Sequence, residues 1–155
     1  MSAPKKSSSF TVAGEAPGPP LIGALLRIPW EAVRRRMLER LHQHGHGDLD
    51  TPHLTVFQYP GPQGARPSEL AARLGVSKQA VNYLLGELER LGYLERRPDP
   101  EDLRSRRIVL TRRGEHAITV VREAVAEIER EWTAMLGAKR FAQLQGLLRE
   151  IADSS

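Results

Sequence analysis

From Leu21 onward the residues Ile22, Leu26, Trp30, Val33, Met37 and Leu41 recur at steps of 4, 4, 3, 4 and 4, the period of a helix with one buried face. Pro29 falls inside this pattern. Lacking an amide N–H and crowding the turn before it, it should kink the helix or begin a second one. Gly45 and Gly47 mark the end. Thr51 or Pro52 then opens a short helical piece through Tyr59, closed by Pro60, Gly61, Pro62 and Gly64. Pro67 suits a first helical position, with Leu70, Ala71 and Leu74 as the buried face and Gly75 as the left-handed residue after the last turn. Ser77 is placed to cap a following helix whose Val81, Leu84, Leu85, Leu88 and Leu91 form one apolar stripe.

Beyond Gly92 the period drops towards two, through Leu94 and then Ile108 and Leu110, with Pro98, Asp99 and Pro100 between; this predicts a β-hairpin with a long charged tip. From Arg112 a helix carries Ile118, Val121, Val125, Ile128, Trp132 and Met135 at steps of 3, 4, 3, 4 and 3, a heptad seam that needs a partner and points to a homodimer. After Gly137 a last helix gathers Phe141, Leu144, Leu147, Leu148 and Ile151 on one side, ready to pack on the first helix or on another chain. Residues 1–20 hold too few apolar groups among their Ser, Pro and Gly to offset the entropy of ordering, and read as a flexible tail.

Charge changes this picture more than composition does. The chain has 155 residues and a net charge of +4, and the excess is uneven: +4 over residues 66–113 against −2 over residues 114–155. A basic middle beside a mildly acidic end suggests a face for a polyanion joined to a part with another task. The absence of Cys excludes disulfides, thiolate metal sites and Cys nucleophiles. No apolar run reaches membrane-spanning length and no secretory leader is visible, so a cytoplasmic protein without membrane association is expected.

Two short helices joined by a glycine turn make a helix-turn-helix, and the spacing is internally consistent. Counting Pro67 as one, Ala71 is five, Gly75 nine, Val81 fifteen and Leu84 eighteen: the small residue lets the helices approach, the glycine turns the chain, and the aliphatics lock the second helix across the first. With Val81, Leu84, Leu85 and Leu88 inward, Lys78, Gln79, Asn82, Tyr83 and Gly86 point outward near the helix N-terminus at Ser77. Such positions enter a major groove. Gln and Asn pair with adenine, Lys donates to guanine or phosphate, and Tyr reaches phosphate or a thymine methyl. Gly86 keeps the surface flat against the sugar-phosphate chain. Arg104, Arg106 and Arg107 on the hairpin tip suit a narrow minor groove, with the neighbouring acids holding those arginines in place.

The run SELAARLGVSKQAVNYLLGELERLGYLERRPDPEDLRSRRIVLTRRG closely resembles the winged helix-turn-helix of the multiple antibiotic resistance regulator (MarR) family. Ser68-Glu69-Leu70-Ala71, the Leu88 to Leu94 segment, Asp99-x-x-Asp102-x-Arg104 and Leu110-Thr111-x-x-Gly114 carry the resemblance. It implies a mainly α fold with a small β-hairpin wing, a single domain over 21–155. A winged helix-turn-helix lobe at about 52–113 would sit between dimerisation helices at about 21–45 and 112–153. It further implies a homodimer on a palindromic operator in double-stranded DNA, a repressor released by a small-molecule effector, and no cofactor. The DNA-binding set is then Ser77, Lys78, Gln79, Asn82, Tyr83, Arg104, Arg106 and Arg107. Leu103 stands where the family often has glycine, which leaves the tip conformation open.

Trp30, Arg34 and Tyr59 are candidates for an effector pocket, although Trp30 and Tyr59 fit an apolar core better. His42, His44, His46 and His53, with Asp48 and Asp50 between them, are weak metal-ligand candidates, because two glycines loosen the loop and no ligand spacing is recognisable. Metal sensing on the same fold is one alternative; a winged-helix protein-interaction module is another. An enzyme is not expected: there is no phosphate-binding glycine loop, no HExxH, and no nucleophile, His and acid set that the helices bring together.

Overall fold

The computed structural model describes residues 21–57 and 64–154. The tail expected over residues 1–20, Tyr59 and the turn-rich segment around Pro60 to Pro62 lie outside them. The elements run α1 (Ile22–Gln43), α2 (Thr51–Phe57), α3 (Pro67–Leu74), α4 (Lys78–Arg90), β1 (Leu94–Pro98), β2 (Arg106–Leu110), α5 (Arg112–Leu136) and α6 (Ala138–Asp153). This is a mainly helical protein with a two-stranded antiparallel hairpin. None of the described helices is long and apolar enough to cross a membrane.

α1 runs continuously through Pro29, so no second helix begins there. Packing offsets the missing hydrogen bond, since the part of α1 beyond Pro29 is fastened along α5. Met37 and Leu41 are buried in the core, and Arg36 and Arg40 pair with Glu131 and Glu127 at 2.9 and 2.7 Å. Much of the heptad seam is covered within the single chain. Ile118, Val121 and Ile128 are buried inside their own chain, and only Met135, 72% exposed, is left without cover. Along α5, Ile128 and Trp132 share a cleft with Ala32 and Val33 of α1, whereas Ile118, Val121 and Val125 line a groove with Phe57 of α2. α6 folds back on α5, with Phe141 edge-on to Trp132, and leaves Leu147, Leu148 and Ile151 exposed, as are Ile22, Leu25 and Leu26 at the start of α1.

The core of the lobe gathers Leu49, Phe57, Leu70, Val81, Leu85, Leu88, Tyr93 and Ile108, all essentially inaccessible to water. Each of these large side chains contributes about 1.5–3 kcal/mol by leaving water. Gly75 takes φ 63°, the left-handed turn between α3 and α4, and Ser77 Oγ accepts from the Ala80 N–H to cap α4. The hairpin registers Leu94 opposite Leu110 and Pro98 opposite Arg106, and Ala65 bridges Ile108 to add a third, one-residue lane. Thr111 ties the hairpin to α5: its hydroxyl donates to the Gly92 carbonyl and accepts from the Gly114 N–H. A Cβ at Gly114 would collide with the Tyr93 carbonyl oxygen, which explains the glycine three residues after that threonine. No described non-glycine residue has a positive φ, so the wing tip turns at Leu103 without a left-handed residue.

Candidate nucleic-acid interface

α4 presents the side chains its sequence spacing predicts. Its stripe of Val81, Leu85 and Leu88 is buried, and Lys78, Gln79, Asn82, Tyr83 and Gly86 are all exposed. The fold brings this face together with the wing. Lys78 and Asn82 of α4, Arg104, Ser105 and Arg106 of the wing, and Pro67 and Ser68 of α3 line one open cleft of about 330 Å³. No carboxylate lines it. Two segments far apart in sequence thus supply one continuous donor-rich surface.

Arg107 stands apart from this set. Its guanidinium reaches Asp99 Oδ1 and Glu101 Oε2, each at 3.3 Å, and is committed to holding the wing. Arg66 donates to the other Asp99 oxygen at 2.6 Å. Asp99 itself is completely buried. The Arg66 hydrogen bond, helped by the Glu101 amide and Arg107, holds its carboxyl down at about 2. The sequence indicated that wing acids would anchor wing arginines; it did not indicate Arg66, which reaches Asp99 only because the chain before α3 bridges to β2. With Asp99 and Glu101 engaged in this way, the Arg104 and Arg106 guanidinium groups have no ion-pair partner among the described residues.

A second polar cluster was not legible beforehand. His46 is buried between the α1–α2 loop, the start of the hairpin and α5; its Nδ1 lies 3.0 Å from the Tyr93 hydroxyl and its Nε2 2.8 Å from His116 Nδ1. Tyr93 donates to Asp48 Oδ1 at 2.6 Å, and Arg113 donates to Asp48 Oδ2 at 2.9 Å while stacking 4.3 Å over the Tyr93 ring. Since the Tyr93 proton goes to Asp48, the hydroxyl oxygen accepts from His46 Nδ1–H, and His46 Nε2 accepts from His116. Burial and the neighbouring His116 lower the His46 pKa. Burial opposes ionisation of Asp48, but Tyr93 and Arg113 outweigh it and keep the carboxyl below its ordinary range. Burial and Asp48 push the Tyr93 hydroxyl up. The network welds the lobe to the helical platform.

The four candidate metal ligands do not converge. His42 bonds the Leu49 carbonyl, His44 the Arg40 carbonyl, His46 Tyr93 and His116, and His53 the Asp50 amide. Among the described residues no group of three or more His, Cys, Asp or Glu side chains is arranged to hold an ion. The two described candidates for an effector pocket differ in setting. Trp30 is 47% exposed and so lies outside the core of the described chain, while Arg34 lines an open cleft with Leu38, Glu39, His42 and Thr51.

A glycine-turned helix pair, a paired hairpin beside it and a basic cleft shared between them define a winged helix-turn-helix protein. Comparison with known proteins makes this definite. Residues 48–105 match the family model described as MarR family. The transcriptional regulator Tm0710 from Thermotoga maritima is 31% identical, with 85% of this chain covering 92% of that one at a TM-score of 0.54. Wild-type MarR from E. coli, in its apo form, is 25% identical over 86% of this chain and 98% of its own, with a TM-score of 0.64. The transcriptional repressor CouR, solved bound to a 23-mer DNA duplex, is 25% identical over 85% of this chain and 92% of its own, with a TM-score of 0.63. CouR from Rhodococcus jostii has also been solved with p-coumaroyl-CoA. No curated protein matches the chain. The chain belongs to the MarR family of transcriptional regulators.

Proposed function

We propose that this protein is a homodimeric, sequence-specific DNA-binding repressor of a nearby promoter, released by a small organic effector. The observation that carries the reading is the cleft in which Lys78 and Asn82 of α4 meet Arg104 and Arg106 of the wing with no acid between them. Gln79 and Asn82 read base edges, Ser77 and Lys78 position the backbone at the N-terminus of α4, and Arg104 and Arg106 enter the minor groove. Arg107 serves the wing rather than the duplex. The protein acts by binding and release, without catalysis.

Dimerisation is supported by the exposed apolar residues Ile22, Leu25 and Leu26 of α1 and Leu147 and Leu148 of α6. A dimer sets two α4 helices about 34 Å apart, one DNA turn, on a palindrome with half-sites about 10 bp apart. Release by an effector is supported by a groove lined by Phe57, Ile118, Val121 and Val125 together with Arg122 and Glu129, and by the p-coumaroyl-CoA bound to CouR.

The test is a gel-shift titration of the full chain against its own upstream region and against random duplex, at 50 and 200 mM salt. Tight binding of the upstream duplex, weakened by at least about 100-fold over that salt range, is the expected result for several phosphate contacts per dimer. Binding that does not distinguish the two duplexes, or an interaction with acidic proteins alone, overturns it.

A further inference from the structure

His53 in α2 is buried, yet its Nε2 has no hydrogen-bond partner of ordinary length. The Asp50 amide donates to its Nδ1 at 2.9 Å, so Nδ1 is the acceptor and the ring proton sits on Nε2. Nε2 lies 3.5 Å from Glu87 Oε2. The other oxygen of Glu87, Oε1, accepts from the Tyr83 hydroxyl at 3.2 Å. Tyr83 is 66% exposed and stands on the face of α4 that carries Asn82. A chain of three side chains therefore runs from a buried imidazole through a half-buried carboxylate to an exposed phenol.

The direction of the last bond decides what Tyr83 offers a duplex. With its proton given to Glu87, the phenol oxygen presents only lone pairs. A phosphate oxygen is an acceptor too and is repelled, the more so with a carboxylate behind the phenol. The groups in a major groove that complement such an oxygen are the amino groups of adenine N6 and cytosine N4. We propose that Tyr83 reads a base amino group, and that Glu87 and His53 are positioning residues that hold its hydroxyl in the accepting orientation. This differs from the phosphate or thymine-methyl contact expected for Tyr83 from sequence, and it rests on the DNA-binding reading above.

The experiment selects duplexes from a random library with the wild-type protein, then measures affinities by fluorescence anisotropy for the selected duplex and for copies altered one base pair at a time. At one position in each half-site, wild type should prefer adenine or cytosine about fivefold, the net value of one hydrogen bond. Tyr83→Phe and Glu87→Ala should each abolish that preference, and the double variant should lose no more than either alone. His53→Leu should weaken the preference. His53→Gln, which returns a donor near Nε2, should restore it to within about twofold of wild type. Melting temperatures separate these effects from general destabilisation; if His53→Leu does not fold, the Tyr83–Glu87 pair carries the test. Additive losses, or a preference that survives Tyr83→Phe, overturn the inference while leaving the proposed function standing. Failure of wild type to enrich any duplex overturns both.

Discussion

Helices α4 and α6 are both amphipathic and of similar length, 13 and 16 residues, yet they show water opposite kinds of surface. α4 turns Val81, Leu85 and Leu88 into the lobe and exposes Lys78, Gln79 and Asn82. α6 buries only Phe141 fully and leaves Leu147, Leu148 and Ile151 at 49, 41 and 56% exposure. The stripe of α4 is satisfied within the chain by the packing of α2 and α3, so its outward face is free to be polar and to meet a polyanion. The stripe of α6 meets α5 through Phe141 and leaves Leu147 and Leu148 largely open to water. One periodicity thus serves two needs: in α4 it orients a reading surface, and in α6 it requests a second protein surface.

The largest expected effect separates the two helices outright. Leu148→Glu places a charge in the apolar face of α6, and an unpaired charge buried at an interface costs about 3 kcal/mol or more. Sedimentation should show the assembly reduced to single chains, with far-UV circular dichroism preserved and cooperative DNA binding lost. An unchanged mass would remove α6 from the interface. On α4 the expected change is smaller and of another kind. Asn82→Ala should cost about 1–3 kcal/mol of binding and relax base preference while leaving sedimentation unaltered. Equal losses on specific and random duplexes would deprive Asn82 of its reading role.

Gly86 sharpens the comparison further. It lies exposed in the interior of α4, and a Cβ there would meet nothing within 4 Å. In the free protein Gly86→Ala should therefore stabilise the helix by about 1 kcal/mol and raise the melting temperature. On DNA the added methyl should hinder close approach and lower affinity. Changes of the same sign in both assays would mean that Gly86 faces solvent only.

The wing that completes the α4 face gives an effect that shows only in acid. Arg66 holds the Asp99 carboxyl down at about 2, below the value of about 3.9 for an unperturbed Asp. A depressed carboxyl pKa contributes stability that is present above the unfolded value and is lost as pH falls through the folded one. Melting temperature should accordingly fall between about pH 4 and pH 2, and Asp99→Asn should remove that part of the slope. A wild-type profile identical to that of Asp99→Asn would show that the clamp does not couple to folding.

Much of the α4 face was legible from sequence because its signals are local. Pro67, Gly75 and Ser77 punctuate the two helices through their own backbone chemistry, and the period of Val81, Leu85 and Leu88 determines which side chains point away. The Arg66–Asp99 clamp and the His46–Tyr93–Asp48 network were not legible. Each joins residues between 33 and 47 positions apart, and no periodicity reports a contact across that distance. Pro29 misled for a related reason: a local rule favoured a break, and distant packing on α5 overrode it. The heptad of α5 was legible as a period, but not that Ile128 and Trp132 lie beside α1 while Ile118, Val121 and Val125 line a groove with Phe57.

The order of the elements, the exposed polar positions of α4 and the basic excess of residues 66–113 were determined by the amino-acid sequence itself, because capping, periodicity and charge are properties of neighbouring residues. Only the tertiary structure decided that Lys78 and Asn82 share a cleft with Arg104 and Arg106, that Arg107 is withdrawn from it, and that the phenol of Tyr83 gives its proton to Glu87. Those outcomes depend on where separate elements come to rest against one another. That placement is governed by the packing of the whole core, which no local stretch of sequence encodes.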